Sequence, residues 1–552
     1  MGTMAMSRRG RPASGCGGRA VAPGQKRMRS MLRGSFMILI GTDGSARPYG
    51  YRFAVTRSRS GLPPSRRSLL LMRWVSPPAP TMSHGHVGSE RRLGMTLAEA
   101  AVRHGDPQQR EPPSRTAQSR LGLIVAVSMV VGLLVAVVLV AAPFMPAKEH
   151  VLVGVVLLGF ALGWALLAVL SVRFSDQPQR WAAAPAAFMG LAGLAALSGS
   201  TAVHAVFRWV WPPVLLGLVV WMFLRVRRQL PSRGARWLLY PVLAVLLLAA
   251  VGGGYETVRE SLDARAYPMP GQLIDVGGHR LHLHCTGSGS PTVVLEPGGG
   301  GASSDFGWIA PAVARDTTVC VYDRAGRGWS DPADGPQDGA HIAADLHTLL
   351  DRAHIPGPYV LAGHSFGGLY VQSFAAQFPD QVAGMVLLDS TAPKPGPAEP
   401  TNTDPYNVIG RVAALSAASA HLGAGRLLNP ISYTTLPPRS RDEARANSST
   451  ASHLASFIEE YAVANTSMQQ ASALTNLHGK PLIVLTADEQ NTDDQWQSKQ
   501  DHLATLSTNS LHRHANATHD SLISDQADAA AASQAIHDVV TAVRTGRPLV
   551  PR

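Results

Sequence analysis

Residues 363–368, with the sequence GHSFGG, contain a G-x-S-x-G pattern centred on Ser365. A short apolar run, residues 359–362, precedes the pattern, and a helical pattern over residues 369–378 follows it. Between a strand and a helix, this pattern forms a strained turn that lifts a serine hydroxyl above a sheet. Side chains two residues before and after the serine would collide, which explains the glycines there. We therefore predict that Ser365 is a catalytic nucleophile.

A serine nucleophile also needs donors that stabilise an oxyanion. Four glycines, residues 298–301, follow the apolar run at 292–295. Glycines bring backbone N–H groups close to a ligand without obstruction by side chains. We predict an oxyanion hole that is formed by the N–H of Gly299, or of Gly298, together with the N–H of Phe366.

The C-terminal half shows the pattern of an α/β protein. Residues 272–276 and 280–285 alternate in polarity and are joined by two glycines, which predicts a β-hairpin. Helical patterns such as 341–353 separate most of the apolar runs that follow. Fully apolar strands that alternate with helices predict a mostly parallel sheet covered on both faces. The apolar runs are residues 292–295, 318–322, 359–362, 385–388 and 482–485.

Taken together, these motifs resemble the α/β-hydrolase superfamily in its lipase/esterase-like branch. The resemblance rests on the glycine run, on DRAGRGWS at 323–330, on GHSFGG and on MVLLD at 385–389, and it covers about residues 270–548. It implies a mostly parallel eight-stranded sheet with helices on both faces and a helical cap. It also implies no metal and no organic cofactor. Many relatives carry His-Gly where this chain has Glu296-Pro297, which leaves the choice of oxyanion donor open.

The resemblance also indicates where the base lies, because the family order is serine, acid, histidine. Residues 510–515 (SLHRHA) are predicted to form the last strand, and residues 524–544 the last helix. His519 lies in the loop between them, where the family has its base. The other histidines of this region have structural interpretations; they are His502, His512, His514 and His537.

Two carboxylates are candidates for the acid that orients the base. Asp389 ends the sixth strand, a position that some lipases use, and Asp488 follows the seventh strand. In this family the acid usually follows the seventh strand at a fixed distance. Here the residue at that distance is Gln490, which has no carboxylate. We favour Asp389 over Asp488.

Residues 391–475 are too long for a simple connection and resemble a cap insertion that governs substrate entry. Its helices are predicted at 407–422 and 452–466. Apolar cap positions such as Val408, Val412 and Phe457 either line an acyl pocket or face the domain core, and we favour the core. Asp323 and Arg324 are predicted to lie in a structural loop beneath the site.

Five apolar stretches precede this domain, at residues 121–144, 151–172, 181–207, 209–224 and 237–255. A helix crosses a bilayer in about 20 residues, so the sequence predicts a five-helix membrane domain over 120–255. A linker at 256–270 and the hydrolase domain at 271–548 would follow. Arginines concentrate before the first span, between the second and third, and between the fourth and fifth. The positive-inside rule therefore predicts a cytoplasmic N-terminus and an extracytoplasmic hydrolase domain.

Residues 1–119 form a basic leader rich in Arg, Pro and Gly, which we interpret as disordered. Residues 1–120 hold 21 of the 49 Lys and Arg residues and five of the 37 Asp and Glu residues. A second interpretation is that translation starts at Met82 or Met95. The basic excess has no accompanying motif or folded aromatic face, which argues against a nucleic-acid partner. Of the three cysteines, Cys285 and Cys320 could pair in an exported domain, but we favour two separate buried thiols.

The sequence predicts a membrane-anchored serine hydrolase that cleaves a small-molecule or lipid-like ester. A peptidase, an amidase or a perhydrolase would use the same residues. A third hypothesis is a membrane scaffold that carries a catalytically inactive hydrolase domain.

Overall fold

The structure is a computed structural model that describes residues 115–230, 233–394, 396, 407–428, 434–489 and 494–551. The predicted basic leader lies outside the described residues except for residues 115–119, and so do Met82 and Met95. The described residues form a helical region, residues 115–266, and an α/β region, residues 271–551.

The helical region contains five helices that are long and apolar enough to cross a membrane. Glycines let α1 and α2 approach closely, since a Cβ on Gly132 would lie 2.8 Å from the Cα of Gly163. Large apolar side chains face outward, for example Leu123 at 65% and Leu248 at 71% exposed. The helices are α1 (Arg115–Ala141), α2 (Glu149–Phe174), α3 (Ala183–Leu197), α4 (Thr201–Gln229) and α5 (Arg233–Ala266).

Two predicted boundaries in the helical region differ from those of the structure. The break between the third and fourth helices lies at residues 198–200 rather than at 208, because Gly199 adopts a positive φ of 61° and the Ser200 side chain caps α4 by accepting from the Val203 N–H. Helix α4 continues through Pro212 and Pro213. The predicted linker at 256–270 is helical as far as Ala266, since α5 extends past the apolar stretch. Hydropathy alone reveals neither the cap at the start of α4 nor the polar extension at the end of α5.

The α/β region is built on an eight-stranded sheet in the order β1-β2-β4-β3-β5-β6-β7-β8. The predicted hairpin of β1 and β2 is confirmed, and β2 is also antiparallel to β4, whereas the remaining neighbours are parallel. The mostly parallel sheet is therefore confirmed. The strands are β1 (Gln272–Asp275), β2 (Arg280–Thr286), β3 (Val293–Glu296), β4 (Val319–Tyr322), β5 (Tyr359–His364), β6 (Val382–Leu388), β7 (Leu482–Ala487) and β8 (Ser510–Ala515).

Helices cover both faces of this sheet, because alternate strand residues point to opposite sides. Leu361 of β5 packs into one core with α7, α8 and α14, and Val360 packs into the other core with α6, α15 and α16. The helices are α6 (Ile309–Val313), α7 (Gly339–Arg352), α8 (Gly367–Gln377), α14 (Asp494–Ala504), α15 (Ser521–Ser524) and α16 (Asp528–Thr545).

Cys285 and Cys320 form a disulfide, so the favoured prediction of two separate thiols is wrong. Cys285 lies on β2 and Cys320 lies directly opposite it on β4. The sequence does not reveal that β2 pairs with β4, and it is this register that brings the two sulfur atoms together.

Among the described residues between β6 and β7 there are five helices, which we call the cap helices. Their contacts with the helical region include those of two arginines and of His421, which pairs with Glu149 of α2 at 3.2 Å. Arg411 donates to the carbonyls of Ala142 at 2.9 Å and Met145 at 2.8 Å, near the end of α1, and Arg426 pairs with Glu256 of α5 at 2.8 Å. The cap helices are α9 (Val408–Ala420), α10 (Ala424–Leu428), α11 (Pro438–Asn447), α12 (Ala451–Ala462) and α13 (Ala464–Ala471).

Candidate active site

Ser365 occupies the turn between β5 and α8 with a positive φ of 53°, which is strained for a residue with a side chain. The glycines on either side are required by contact. A Cβ on Gly363 would lie 2.5 Å from the Gly367 carbonyl oxygen, and a Cβ on Gly367 would lie 2.3 Å from that of Glu296. The strand–turn–helix context predicted for the G-x-S-x-G pattern is therefore confirmed.

The glycine run forms a turn against this serine. A Cβ on Gly298 would lie 3.2 Å from the Cβ of Ser365, and a Cβ on Gly299 would lie 3.2 Å from the Phe366 ring. Phe366 is the N-cap residue of α8, so its backbone N–H lies at the positive end of a helix dipole. The predicted oxyanion donors thus lie beside Ser365.

His519 and Asp389 form a close pair in which Nδ1 of the imidazole lies 2.6 Å from Oδ2 of the carboxylate. Asp389 follows β6 with a positive φ of 41°, and its side chain is fully buried. Its other oxygen accepts from the Ala487 N–H at 3.2 Å and from the indole N–H of Trp496 at 3.1 Å. These donors hold the carboxylate in one orientation towards the imidazole.

His519 is joined to the serine turn through the residue before the serine. The Nε2–H group of His364 donates to the carbonyl of His519 at 2.9 Å, and the two rings lie 4.6 Å apart. Burial, together with the neighbouring His519, lowers the pKa of His364 to about 3. His364 therefore stays neutral and serves as a donor to the loop that carries the predicted base.

Asp488, the alternative acid, does not contact His519. Its Oδ1 lies 3.0 Å from Nδ1 of His514, and both side chains are about half exposed. The structure therefore brings Ser365, His519 and Asp389 to one site and places Asp488 with His514 outside it. Two further histidines have other acidic partners: His512 pairs with Asp501, and His537 pairs with Asp316.

Residues 291–523 match the family model for the alpha/beta hydrolase fold. The C-terminal part of the chain has the α/β-hydrolase fold. A stretch of it is 36% identical over 155 residues to an uncharacterized protein of Schizosaccharomyces pombe, covering 23% of this chain and 29% of the relative. Another is 38% identical over 120 residues to a protein named as a candidate carbamate hydrolase, RutD, of Pseudomonas savastanoi, covering 21% of this chain and 45% of the relative.

The matches thus span less than half the length of these curated relatives. Among solved structures, the C-terminal part of the chain is similar to an enol-lactonase from Burkholderia xenovorans, with 19% identity, 49% of this chain and 100% of that chain covered, and a TM-score of 0.38. It is also similar to a thermophilic esterase from Thermogutta terrifontis, with 19% identity, 49% and 99% covered, and a TM-score of 0.37.

A buried charge cluster, which the sequence did not predict as a unit, lies under the glycine turn of the hydrolase. It consists of Glu296, Arg324, Arg327 and Glu460, all fully or almost fully buried. Arg324 pairs with Glu296 at 2.6 Å and with Glu460 at 3.0 Å. The loop position predicted for Arg324 is confirmed, but Glu460 lies in cap helix α12, outside the motifs by which the chain resembles the hydrolase family.

The two carboxyl groups of this cluster differ in their electrostatics. Burial raises the pKa of Glu296 to about 7, although Arg324 opposes the shift. Burial also disfavours the charged form of Glu460, but the guanidinium groups of Arg324 and Arg327 outweigh it and lower the pKa of Glu460. Glu460 therefore keeps its negative charge and is the counterion of the two arginines.

Aromatic side chains from α12 form one wall beside the glycine turn. Tyr461 lies 5.2 Å from the Phe366 ring and 4.7 Å from the Phe457 ring. Phe457 is 37% exposed, and the apolar cap residues Val408 and Val412 are also exposed. The prediction that these three cap positions face the domain core is wrong, because only the opposite faces of α9 and α12 are covered.

Proposed function

We propose that this chain is a membrane-anchored serine hydrolase that cleaves a carboxylic ester through an acyl-enzyme intermediate. The observation that carries the proposal is the 2.6 Å pair of His519 and the buried Asp389 beside a serine with a positive φ. A strained serine, an imidazole and a buried carboxylate are the groups that nucleophilic acyl transfer requires.

In the proposed mechanism, the Nδ1–H of His519 donates to Asp389, which leaves Nε2 unprotonated and able to accept a proton. Ser365 Oγ attacks the ester carbonyl carbon while its proton moves to Nε2. The carbonyl electron pair moves to oxygen and is stabilised by the N–H groups of Phe366 and Gly299, or Gly298. Nε2 then protonates the departing alcohol, and water attacks the acyl-enzyme by the same route to release the acid.

The aromatic wall of Phe366, Phe457 and Tyr461 supports an apolar acyl group as the substrate portion bound next to the oxyanion hole. Apolar lining with a few polar groups is typical of pockets that bind small organic ligands. A small-molecule ester or a lipid-like ester meets this requirement, and the neighbouring apolar helices favour the lipid-like class.

Membrane anchoring is supported by the outward-facing side chains of the helical region. In a soluble bundle the exposed faces are polar, whereas here Leu and Val side chains of α1, α4 and α5 are exposed. Close glycine contacts between α1 and α2 are typical of helices that associate in lipid.

An extracytoplasmic position of the hydrolase domain is supported by two independent observations. Arginines cluster at the α2–α3 and α4–α5 connections, which are the ends of the helices opposite to the cap helices. The disulfide between Cys285 and Cys320 is typical of proteins in oxidising compartments.

The catalytic proposal is tested by following hydrolysis of a panel of p-nitrophenyl esters, from acetate to palmitate, by the detergent-solubilised full chain. We expect turnover by wild type and none above background by Ser365→Ala. A matching p-nitroanilide panel distinguishes an amidase, which would turn over the anilides at a measurable rate, whereas an esterase would not. A folded wild type that turns over neither panel and does not react with a fluorophosphonate would support the inactive scaffold instead.

The location is tested separately by maleimide labelling of the denatured protein. We expect Cys285 and Cys320 to react only after reduction, so that reduction adds two labels. Labelling of both cysteines without reduction would contradict an oxidising location.

A further inference from the structure

Arg324 donates to two consecutive carbonyls at the glycine turn. Nη1 of Arg324 donates to the carbonyl of Pro297 at 2.7 Å, and Nη2 donates to the carbonyl of Gly298 at 2.6 Å. Two consecutive peptide carbonyls are thus turned towards one guanidinium group.

The direction of these carbonyls fixes the direction of the N–H groups. In a planar trans peptide, C=O and N–H point in opposite directions. The carbonyl of Pro297 shares its peptide unit with the N–H of Gly298, and the carbonyl of Gly298 shares its unit with the N–H of Gly299. Both N–H groups therefore point away from Arg324, and these are the two candidate oxyanion donors.

Arg324 is itself fixed on all sides. It also donates to Glu296 Oε1 at 2.6 Å and to Glu460 Oε1 at 3.0 Å, and its guanidinium lies 5.0 Å from the centre of the Tyr370 ring. Tyr370 donates to Glu460 Oε1 at 2.7 Å. Only the planar fork of an arginine can reach two carbonyls and two carboxylates at once, because a lysine offers a single nitrogen.

We propose that Arg324, held by Glu460 of the cap, is a positioning residue that orients the Gly298 and Gly299 N–H groups towards the oxyanion. This inference rests on the proposed function, since it assigns a role in the same acyl transfer. It also gives the cap an effect on the chemistry, because the carboxylate that completes the arginine's contacts comes from α12.

Arg327 provides a matched control for Arg324. It is fully buried, it pairs with the same Glu460, and it lies three residues along the same loop. Its guanidinium donates to the carbonyls of Gly300 at 3.4 Å and His453 at 3.5 Å, rather than to those of Pro297 and Gly298. Loss of its guanidinium fork should therefore affect stability to a similar extent without reorienting the two N–H groups.

The test compares Arg324→Lys with Arg327→Lys in the full chain, with Tm measured for each. For Arg324→Lys we expect kcat to fall about 10- to 100-fold with KM changed less than about threefold, because misplacement of a donor affects mainly the transition state. A trifluoromethyl ketone, whose serine adduct carries an oxyanion, should lose affinity by a similar factor. For Arg327→Lys we expect kcat and ketone affinity within about threefold of wild type.

Equal losses in the two variants, or no loss in Arg324→Lys, would overturn the positioning role and leave a purely structural one. If Arg324→Lys does not fold, the charge-balanced double variant Arg324→Gln/Glu460→Gln replaces it. The same kcat loss is then expected, and a folded double variant with wild-type kcat would overturn the inference. A wild type that no fluorophosphonate labels would instead refute the proposed function, so the two failures are distinguishable.

Discussion

Two pairs of carboxylate and imidazole lie at the carboxyl end of the same sheet, and they differ in burial rather than in chemical type. Asp389 and His519 are 2.6 Å apart, and Asp488 and His514 are 3.0 Å apart. The Asp389 side chain is fully buried, whereas that of Asp488 is 42% exposed. Water competes for the hydrogen bond of the exposed pair and screens the attraction between its carboxylate and imidazole. The buried pair is protected from water.

A third pair shows that burial alone does not make a base. His282 and Asp323 are both fully buried and 2.8 Å apart. The second ring nitrogen of His282 is bound to the carbonyl of Pro270 at 2.6 Å, so both nitrogens are occupied. The His519 side chain is 31% exposed and lies beside the serine turn. A buried carboxylate with a partly accessible imidazole is therefore the arrangement that suits catalysis.

The largest expected effect is a difference in kcat/KM between variants of the Asp389–His519 pair and of the Asp488–His514 pair. Asp389→Asn should lower kcat/KM about 10³- to 10⁴-fold, because the amide no longer favours the His519 tautomer that accepts the serine proton. Asp488→Asn should change kcat/KM less than about twofold, because its partner lies outside the site. Ester hydrolysis by the two purified variants measures both values. A larger loss in Asp488→Asn would assign the acid to the other pair.

The next largest effect is expected on the pH dependence of stability, through the neutral His364 beside the Asp389–His519 pair. The pKa of His364 is about 3 in the folded protein, below its ordinary value of 6.5, so near pH 5 the unfolded chain binds a proton that the folded chain does not. Stability is therefore lost as pH falls below about 6.5, a window that extends towards pH 3.

We expect wild type to lose about 1 to 2 kcal/mol more unfolding free energy than His364→Gln between pH 7.5 and pH 5. Thermal unfolding of both proteins at the two pH values checks this expectation. Parallel pH dependence of wild type and variant would show that His364 is not the group responsible.

A smaller effect is expected when the side chains that donate hydrogen bonds to Asp389 and Asp488 are replaced. Trp496 donates to Asp389, and the next residue, Gln497, contacts Asp488 at 3.5 Å. Trp496→Phe should lower kcat about 3- to 10-fold, because Asp389 keeps its bond to Ala487 but loses one donor to a charged group. Gln497→Met is the matched control and should change kcat less than about twofold. Similar kcat values for the two variants would argue against orientation by Trp496.

The smallest effect is expected for the coupling between Asp488 and His514, the exposed pair. A double-mutant cycle with Asp488→Asn and His514→Gln should give a coupling of no more than about 0.5 kcal/mol in unfolding free energy. Denaturant unfolding of the four proteins measures it. A coupling above about 2 kcal/mol would mean that exposure is a poor guide to the strength of these pairs.

The local features of the fold were predictable from sequence because they depend on neighbours along the chain. The strand, turn and helix around Ser365 are encoded by adjacent apolar runs and by two glycines with no room for a side chain. The apolar stretches of the first two long helices have the length that a membrane span requires. His519 could be proposed because it is the histidine in the loop between the last strand and helix, where the resemblance to the hydrolase family implies the base.

Features that depend on contacts between distant segments were not predictable in the same way. The choice between Asp389 and Asp488 depends on where the His519 loop folds back across β7. The Cys285–Cys320 bond depends on the pairing of β2 with β4. Glu460 reaches Arg324 only because α12 packs over the glycine turn, and nothing in its local sequence indicates a buried charge.

We propose above all that Ser365 is the activated nucleophile of a working acyl-transfer site. The most direct test is to treat membranes that contain the full chain with a fluorophosphonate, digest the protein, and locate the adduct by peptide mass spectrometry. We predict a single adduct on Ser365 that forms in wild type, is lost in Ser365→Ala and slows strongly in Asp389→Asn. An adduct on another residue, or none on folded wild type, would contradict the claim.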